Sequence, residues 1–250
     1  MRTLHLFAGA GGGLLADLIL GYEPVAAVEW DPYCCQVLRE RRDDGWFPEL
    51  EVVEGDIREF DASEYAGRVA CVSGGFPCTD VSVAGKGAGL DGERSGLWSE
   101  FARVLRQVRP RFAFIENSPA LVARGLDRVL SDLAALGFDA EWAVVSAADV
   151  GASHLRERIW ILADADNSGR ERSVRAREQD KEGKERKAPC RKSVRSDRRH
   201  WTPGPSEVGL IPIETDDVAC RVDQLKAIGN GQVPLQAAMA YTILSRGLAA

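Results

Sequence analysis

The sequence predicts an α/β protein built on a doubly wound, mostly parallel sheet. Short apolar runs of strand length alternate with helical periods from the first residues to about residue 163. Nearly every run stops on glycine, carboxylate or amide residues, as strands do where they meet a loop. A β-α-β alternation of this kind makes neighbouring strands parallel, because the helix carries the chain back across the sheet.

Thr3–Phe7 is the first run, and it ends in Ala8-Gly9-Ala10-Gly11-Gly12-Gly13. Leu14–Leu20 reads as a helix closed by Gly21. Pro24–Val28 is a second strand with Glu29 at its end. Asp31 is a candidate N-cap, and Pro32 suits the first position of a helix running to about Arg42. Glu51–Val53 is a third strand, followed by Gly55-Asp56. Val69–Val72 is a fourth and leads into Ser73-Gly74-Gly75-Phe76-Pro77-Cys78. Thr79 to Ser95 is a glycine-rich polar connection, long enough to raise the prospect of a functional loop. Leu97–Val108 is helical and Pro110 stops it. Phe112–Ile115 is a fifth strand ending in Glu116-Asn117. Leu126, Val129, Leu130, Leu133 and Leu136 keep a helical period up to Gly137. Glu141–Ala147 and Arg158–Ala163 complete six or seven strands, and Val233–Leu248 reads as a final helix.

A chain of 250 residues with 45% hydrophobic and 28% charged residues is sized for one α/β core with a small appendage. No apolar run approaches the roughly 20 residues of a membrane span, and an apparent strand begins within a few residues of Met1. No membrane association and no signal peptide are therefore expected. Six cysteines without a CxxC pair argue against a disulfide scaffold and a zinc site, and for a reducing cytoplasm. Net charge is −6, yet residues 170–199 hold 13 Lys/Arg against 6 Asp/Glu. That basic island is either a solvated linker or a phosphate-binding segment.

The residues that carry chemistry collect at the predicted strand ends, where ligands bind in open α/β sheets. The turn at Gly9, Gly11 and Gly12 lets a ligand approach the backbone. Glu29 could accept from ribose hydroxyls, Trp30 offers an aromatic face for adenine, and Asp56 could accept from its amino group. Glycine turn, Glu and Asp at three successive strand ends describe a nucleoside-containing cofactor. Cys78 is placed like a nucleophile, although free cysteines are often small buried hydrophobes. Glu116 cannot lower a thiol pKa, so it suits proton handling on a substrate. His5, His154 and His200 occupy no obvious partner position for a Cys-His pair. Arg156 and Arg158 at i, i+2 on an extended segment would share a face and could hold a phosphate or carboxylate. Gly229-Asn230-Gly231 before Pro234 makes a second glycine turn far from the first.

The order of these motifs resembles the cytosine-5 DNA methyltransferase family. The resemblance runs through Leu6–Gly12, Val28–Asp31, Gly55–Ile57, Gly74–Asp80, Glu116-Asn117, Arg156–Arg158 and Gly229–Gly231. It covers residues 1–163 and 221–245. Ser118 stands where that family often has valine, and His154 where glutamine is common. The resemblance implies a Rossmann-like methyltransferase fold and methyl transfer from S-adenosylmethionine to carbon 5 of cytosine in double-stranded DNA. Cys78 would add to carbon 6 of a flipped-out base. Glu116 would contact N3 and the amino group, and Asn117 would help position it. Arg158 would meet the base or its pocket, with Arg156 in support. Phe7, Gly9, Gly12, Glu29, Trp30, Asp56, Ile57, Pro77, Leu97, Asn230 and Gly231 would contact the cofactor.

The same resemblance divides the chain. Residues 1–163 would be the catalytic and cofactor-binding domain, 164–220 a short and partly disordered target-recognition region holding the basic island, and 221–250 a segment returning to the catalytic domain. A cytoplasmic monomer of restriction-modification, phage or orphan type is the expectation, with no metal. Two rivals remain. An RNA cytosine-5 methyltransferase keeps the chemistry and changes the substrate. A nucleotide-binding oxidoreductase explains Gly9–Gly12 and Glu29 but leaves Cys78, Glu116 and the last glycine turn without roles.

Overall fold

A computed structural model describes residues 1–77, 97–165, 223, 227 and 229–249. Within them a seven-stranded sheet runs in the order β3-β2-β1-β4-β5-β7-β6. The strands are β1 (Arg2–Leu6), β2 (Glu23–Glu29), β3 (Glu51–Glu54), β4 (Cys71–Gly75), β5 (Phe112–Asn117), β6 (Asp139–Ser146) and β7 (Glu157–Asp164). The first five are parallel to one another. β7 is antiparallel to both β5 and β6. The expected mostly parallel, doubly wound sheet is therefore present, with its exception confined to one edge.

The helices are α1 (Gly12–Leu20), α2 (Pro32–Asp43), α3 (Leu97–Val108), α4 (Leu121–Arg124), α5 (Leu126–Ala135) and α6 (Pro234–Ala249). Local chemistry explains their ends. Gly21 closes α1 in the left-handed region, at φ 71°. The Asp31 carboxylate accepts from the Tyr33 and Cys34 backbone N–H groups, and Pro32 opens α2.

One face of the sheet packs Leu4, Val28, Val72, Ile115 and Ile161 against Phe101 and Leu105 of α3 and Val129 and Leu133 of α5. The other face packs Phe114, Trp160 and Leu162 against Ala237, Tyr241 and Leu244 of α6. Each such large side chain, fully buried, contributes about 1.5–3 kcal/mol. This second face fixes α6, and with it the segment that precedes α6, against β5 and β7. A buried polar group sits beneath α1: Thr3 and His5 both bond Asp17, His5 Nε2 at 2.7 Å from its carboxylate.

The basic island and the expected recognition region lie outside the described residues, apart from Asp164 and Ala165. So does the Thr79–Ser95 connection. No helix of the described residues is long and apolar enough to cross a membrane.

Candidate active site

The strand order turns outward between β1 and β4, which leaves a crevice at their carboxyl ends. A pocket of about 740 Å³ occupies it. Phe7, Gly9, Glu29, Trp30, Asp56 and Ile57 line one side, and Phe76, Pro77, Glu116, Asn117 and Arg158 the other. Leu97 and Asn230 also line it. Of the sequence-predicted residues that the structure describes, all but three line this pocket; Cys78 lies outside the described residues.

On the first side, the chain turns at Phe7 and Gly9, both in the left-handed region at φ 53° and 54°. A non-glycine residue rarely adopts that conformation, so the turn at Phe7 is held against a local cost. Glu29 helps hold it. One of its carboxylate oxygens accepts from the Gly9 N–H at 2.7 Å. The other accepts from the N–H groups of Trp30 and Asp31, both at 2.9 Å. Glu29 therefore organises the turn as well as facing the pocket. The Trp30 ring is 73% exposed and stands on the pocket wall with no core role. Asp56 is gripped by Arg58, whose Nε and Nη2 reach both carboxylate oxygens. Those bonds hold the Asp56 carboxyl below its usual range. Sequence reading did not single out Arg58, which also lines the pocket.

On the second side, β4 and β5 pair so that Gly75 lies opposite Glu116. A methyl group at Gly75 would overlap the Glu116 carboxylate, so only glycine leaves this carboxylate its place. Arg158 Nε stands 2.8 Å from Glu116 Oε1. Burial pushes the Glu116 carboxyl above its ordinary value, while Arg158, Arg156 and a hydrogen bond from Gln232 oppose that rise. A carboxyl group held in that balance can exchange a proton with a bound base.

Asn117 is buried, and its side chain bonds backbone groups. Its amide donates to the Phe76 carbonyl at 3.0 Å, and its oxygen accepts from the Ser118 N–H at 2.8 Å. It therefore pins the backbone that leads through Pro77 into Cys78. Cys78 itself lies outside the described residues. The described cysteines, Cys34, Cys35 and Cys71, are all buried. Burial, reinforced by Glu29, pushes the Cys35 thiol up to about 11, and burial raises Cys71 well above the ordinary value. Neither is poised as a thiolate.

Arg156, Gly12 and Gly231 are the exceptions, absent from the pocket lining. Arg156 has φ 34°, so the segment is not extended there, and the two arginines part. Arg158 turns to Glu116, whereas Arg156 donates to the Gly229 and Gly231 carbonyls at 2.8 and 2.6 Å. The expected shared face is replaced by a clamp on the last glycine turn. Gly12 faces that same turn: a methyl group on it would overlap the Gln232 carbonyl. Gln236 completes the clamp by donating to the Val145 and Arg156 carbonyls.

The seven-stranded order with β7 reversed between β5 and β6 places this sheet in the Rossmann-like class of methyltransferase folds. The C-5 cytosine-specific DNA methylase family model matches residues 1–203, and the chain belongs to that family. Type II methyltransferase M.NgoMIV of Neisseria gonorrhoeae is 35% identical over 165 residues, covering 64% of this chain and 51% of that protein. Type II methyltransferase M.AquIA of Picosynechococcus is 31% identical over 182 residues, covering 65% of this chain and 71% of that protein. The chain spans about half the length of the first of these. Among solved structures, the S. pombe Dnmt2 methyltransferase superposes with a TM-score of 0.55 at 18% identity, over 68% of this chain and 51% of that one. Spodoptera frugiperda DNMT2 gives 0.54 at 20% identity, over 66% and 50%. At those identities the structures speak for the fold.

Proposed function

We propose that this chain transfers a methyl group from S-adenosylmethionine to carbon 5 of cytosine in DNA, through a covalent Cys78 adduct on a flipped-out base. The observation that carries the reading is the Glu116–Arg158 pair at the floor of the crevice, reached from the same pocket as Glu29, Trp30 and Asp56. Family membership supports it, as do the relatives' names as type II methyltransferases.

The residues fit the cofactor. Gly9 and Gly55 leave open space at the pocket wall where other residues would carry a side chain. Trp30 presents a bare ring, and Glu29 and Asp56 present acceptors at neighbouring strand ends. When bound, S-adenosylmethionine supplies an electrophilic methyl group. The chain's part is to make carbon 5 a nucleophile. The Cys78 thiolate adds to carbon 6, and the ring electrons move toward carbon 5 and N3. Glu116 holds a proton at N3 and accepts from the exocyclic amino group, with Arg158 fixing its pose. After methylation, loss of the carbon-5 proton expels the thiolate and restores the aromatic ring. Asn117, by fixing the Phe76 carbonyl, sets where the Pro77-Cys78 segment begins.

The direct test is base-resolution methylation sequencing of DNA from cells expressing the chain, against cells expressing Cys78→Ser. New 5-methylcytosine at a recurring sequence, absent with the variant, is the expected result. Methylation of RNA with none of DNA would move the chain to the RNA reading. Absence of both, with tight nicotinamide binding, would favour the oxidoreductase.

A further inference from the structure

The second glycine turn does more than approach the pocket. Residues 229–233 precede α6, which is anchored on the far face of the sheet through Ala237, Tyr241 and Leu244. Arg156 holds the Gly229 and Gly231 carbonyls, and Gly12 leaves room for the Gln232 carbonyl. The backbone of Gln232 is thereby held from both sides. One end of its amide lies over α1: a methyl group on Gly13 would be 2.7 Å from Gln232 Oε1. The other end lies over β4: a methyl group on Gly75 would be 3.6 Å from Gln232 Nε2 and would overlap Glu116 Oε2. The amide nitrogen of Gln232 and the Glu116 carboxylate thus lie side by side above Gly75. An ionised carboxylate accepts only, so the amide nitrogen must be the group that faces it.

We propose that Gln232 is a positioning residue for Glu116. Its amide holds one carboxylate oxygen over Gly75 while Arg158 holds the other, and together they fix the plane of the carboxyl group that meets the base. Neither contact alone fixes that plane, because a carboxylate with one partner can turn about its last torsion. The C-terminal segment is then part of the reacting centre, contributing through Gln232 a group that no strand end supplies. The inference deepens the reading of Glu116 as the residue acting on cytosine and rests on it.

Two variants test it. Gln232→Leu keeps the volume and removes the amide. Gln232→Glu keeps the shape and sets a second carboxyl beside the first. The first readout needs no turnover: the Glu116 carboxyl is titrated by 13C NMR and assigned by its loss in Glu116→Gln. The charged groups acting on Glu116 are Arg158 and Arg156, and both remain in either variant. The midpoint should therefore rise in Gln232→Leu, which loses a donor to the ionised form, and rise further in Gln232→Glu. The second readout is the rate. kcat for methyl transfer should fall about ten- to a hundredfold in both, with the cofactor KM within about twofold of wild type. A Glu116 midpoint unchanged in both variants would overturn the proposal, as would an unchanged kcat in Gln232→Leu. A shifted midpoint in a protein that methylates neither DNA nor RNA would keep the role of Gln232 and reject the cytosine reading.

Discussion

Arg158 Nε lies 2.8 Å from Glu116 Oε1, across the antiparallel seam between β5 and β7. The carboxylate is the more buried partner, with 12% of its side chain exposed against 26% for the arginine. Removing the arginine leaves a buried carboxyl group without its strongest counter-charge. Arg158→Ala should cost about 2 kcal/mol of stability, less than a fully buried pair because water reaches the guanidinium. Chemical denaturation measures it. The pair also has a pH signature. Burial raises the folded-state pKa of Glu116 above its unfolded value, so its protonated form favours folding. That contribution is complete below the unfolded value of about 4.3 and is lost as pH rises through the folded one. Wild type should therefore lose stability relative to Glu116→Gln as pH climbs from about 4 toward neutrality. Melting temperatures of the two proteins across that range read the difference.

Asn117 bonds the Phe76 carbonyl and not the Glu116 carboxyl group. Asn117→Ala should cost about 1–2 kcal/mol, the price of one buried hydrogen bond and its unsatisfied carbonyl. It should also lower kcat by more than tenfold while S-adenosylmethionine affinity stays near wild type. Calorimetric titration beside a single-turnover assay separates the two effects.

Gly12 packs against the Gln232 backbone, away from the pocket lining. Gly12→Ala should act first on stability, by about 1–3 kcal/mol as overpacking does, because neither backbone has room to yield. A thermal melt checks it. A variant with wild-type stability and selectively weakened cofactor binding would place Gly12 in the cofactor site instead.

Trp30 is exposed on the pocket wall. Trp30→Ala should leave the melting temperature nearly unchanged and weaken cofactor binding by about 1–3 kcal/mol, the range for base stacking on an aromatic ring. Equilibrium binding of S-adenosylmethionine gives the value.

The parts of this site legible in the sequence are those set by local rules. Asp31 and Pro32 announce the start of α2, and so place Glu29 at the end of β2. Gly21 and Gly137 close their helices at positive φ. Glu116 follows an apolar run of strand length, which the structure buries as β5. The rest depended on contacts between distant segments. An apolar period carries no direction, so the reversal of β7 was invisible, and with it the approach of Arg158 to Glu116. The i, i+2 rule for Arg156 and Arg158 requires extended backbone, which φ 34° at Arg156 breaks. Gly12 read as a ligand turn because glycine signals close approach without saying what approaches. Gln232 gave no signal beyond its place after a glycine turn; a polar side chain between that turn and Pro234 was the one available hint.

The most direct measurement of the central claim is covalent trapping. Purified protein is incubated with S-adenosylmethionine and duplex DNA in which 5-fluorocytosine replaces cytosine. Fluorine cannot leave carbon 5 as a proton does, so a thiol adduct that has received the methyl group persists. A one-to-one protein–DNA complex, with its cross-link mapped by mass spectrometry to Cys78 and absent in Cys78→Ser, is the result expected. A complex that survives in Cys78→Ser, or methylated DNA with no complex formed, would contradict the covalent mechanism.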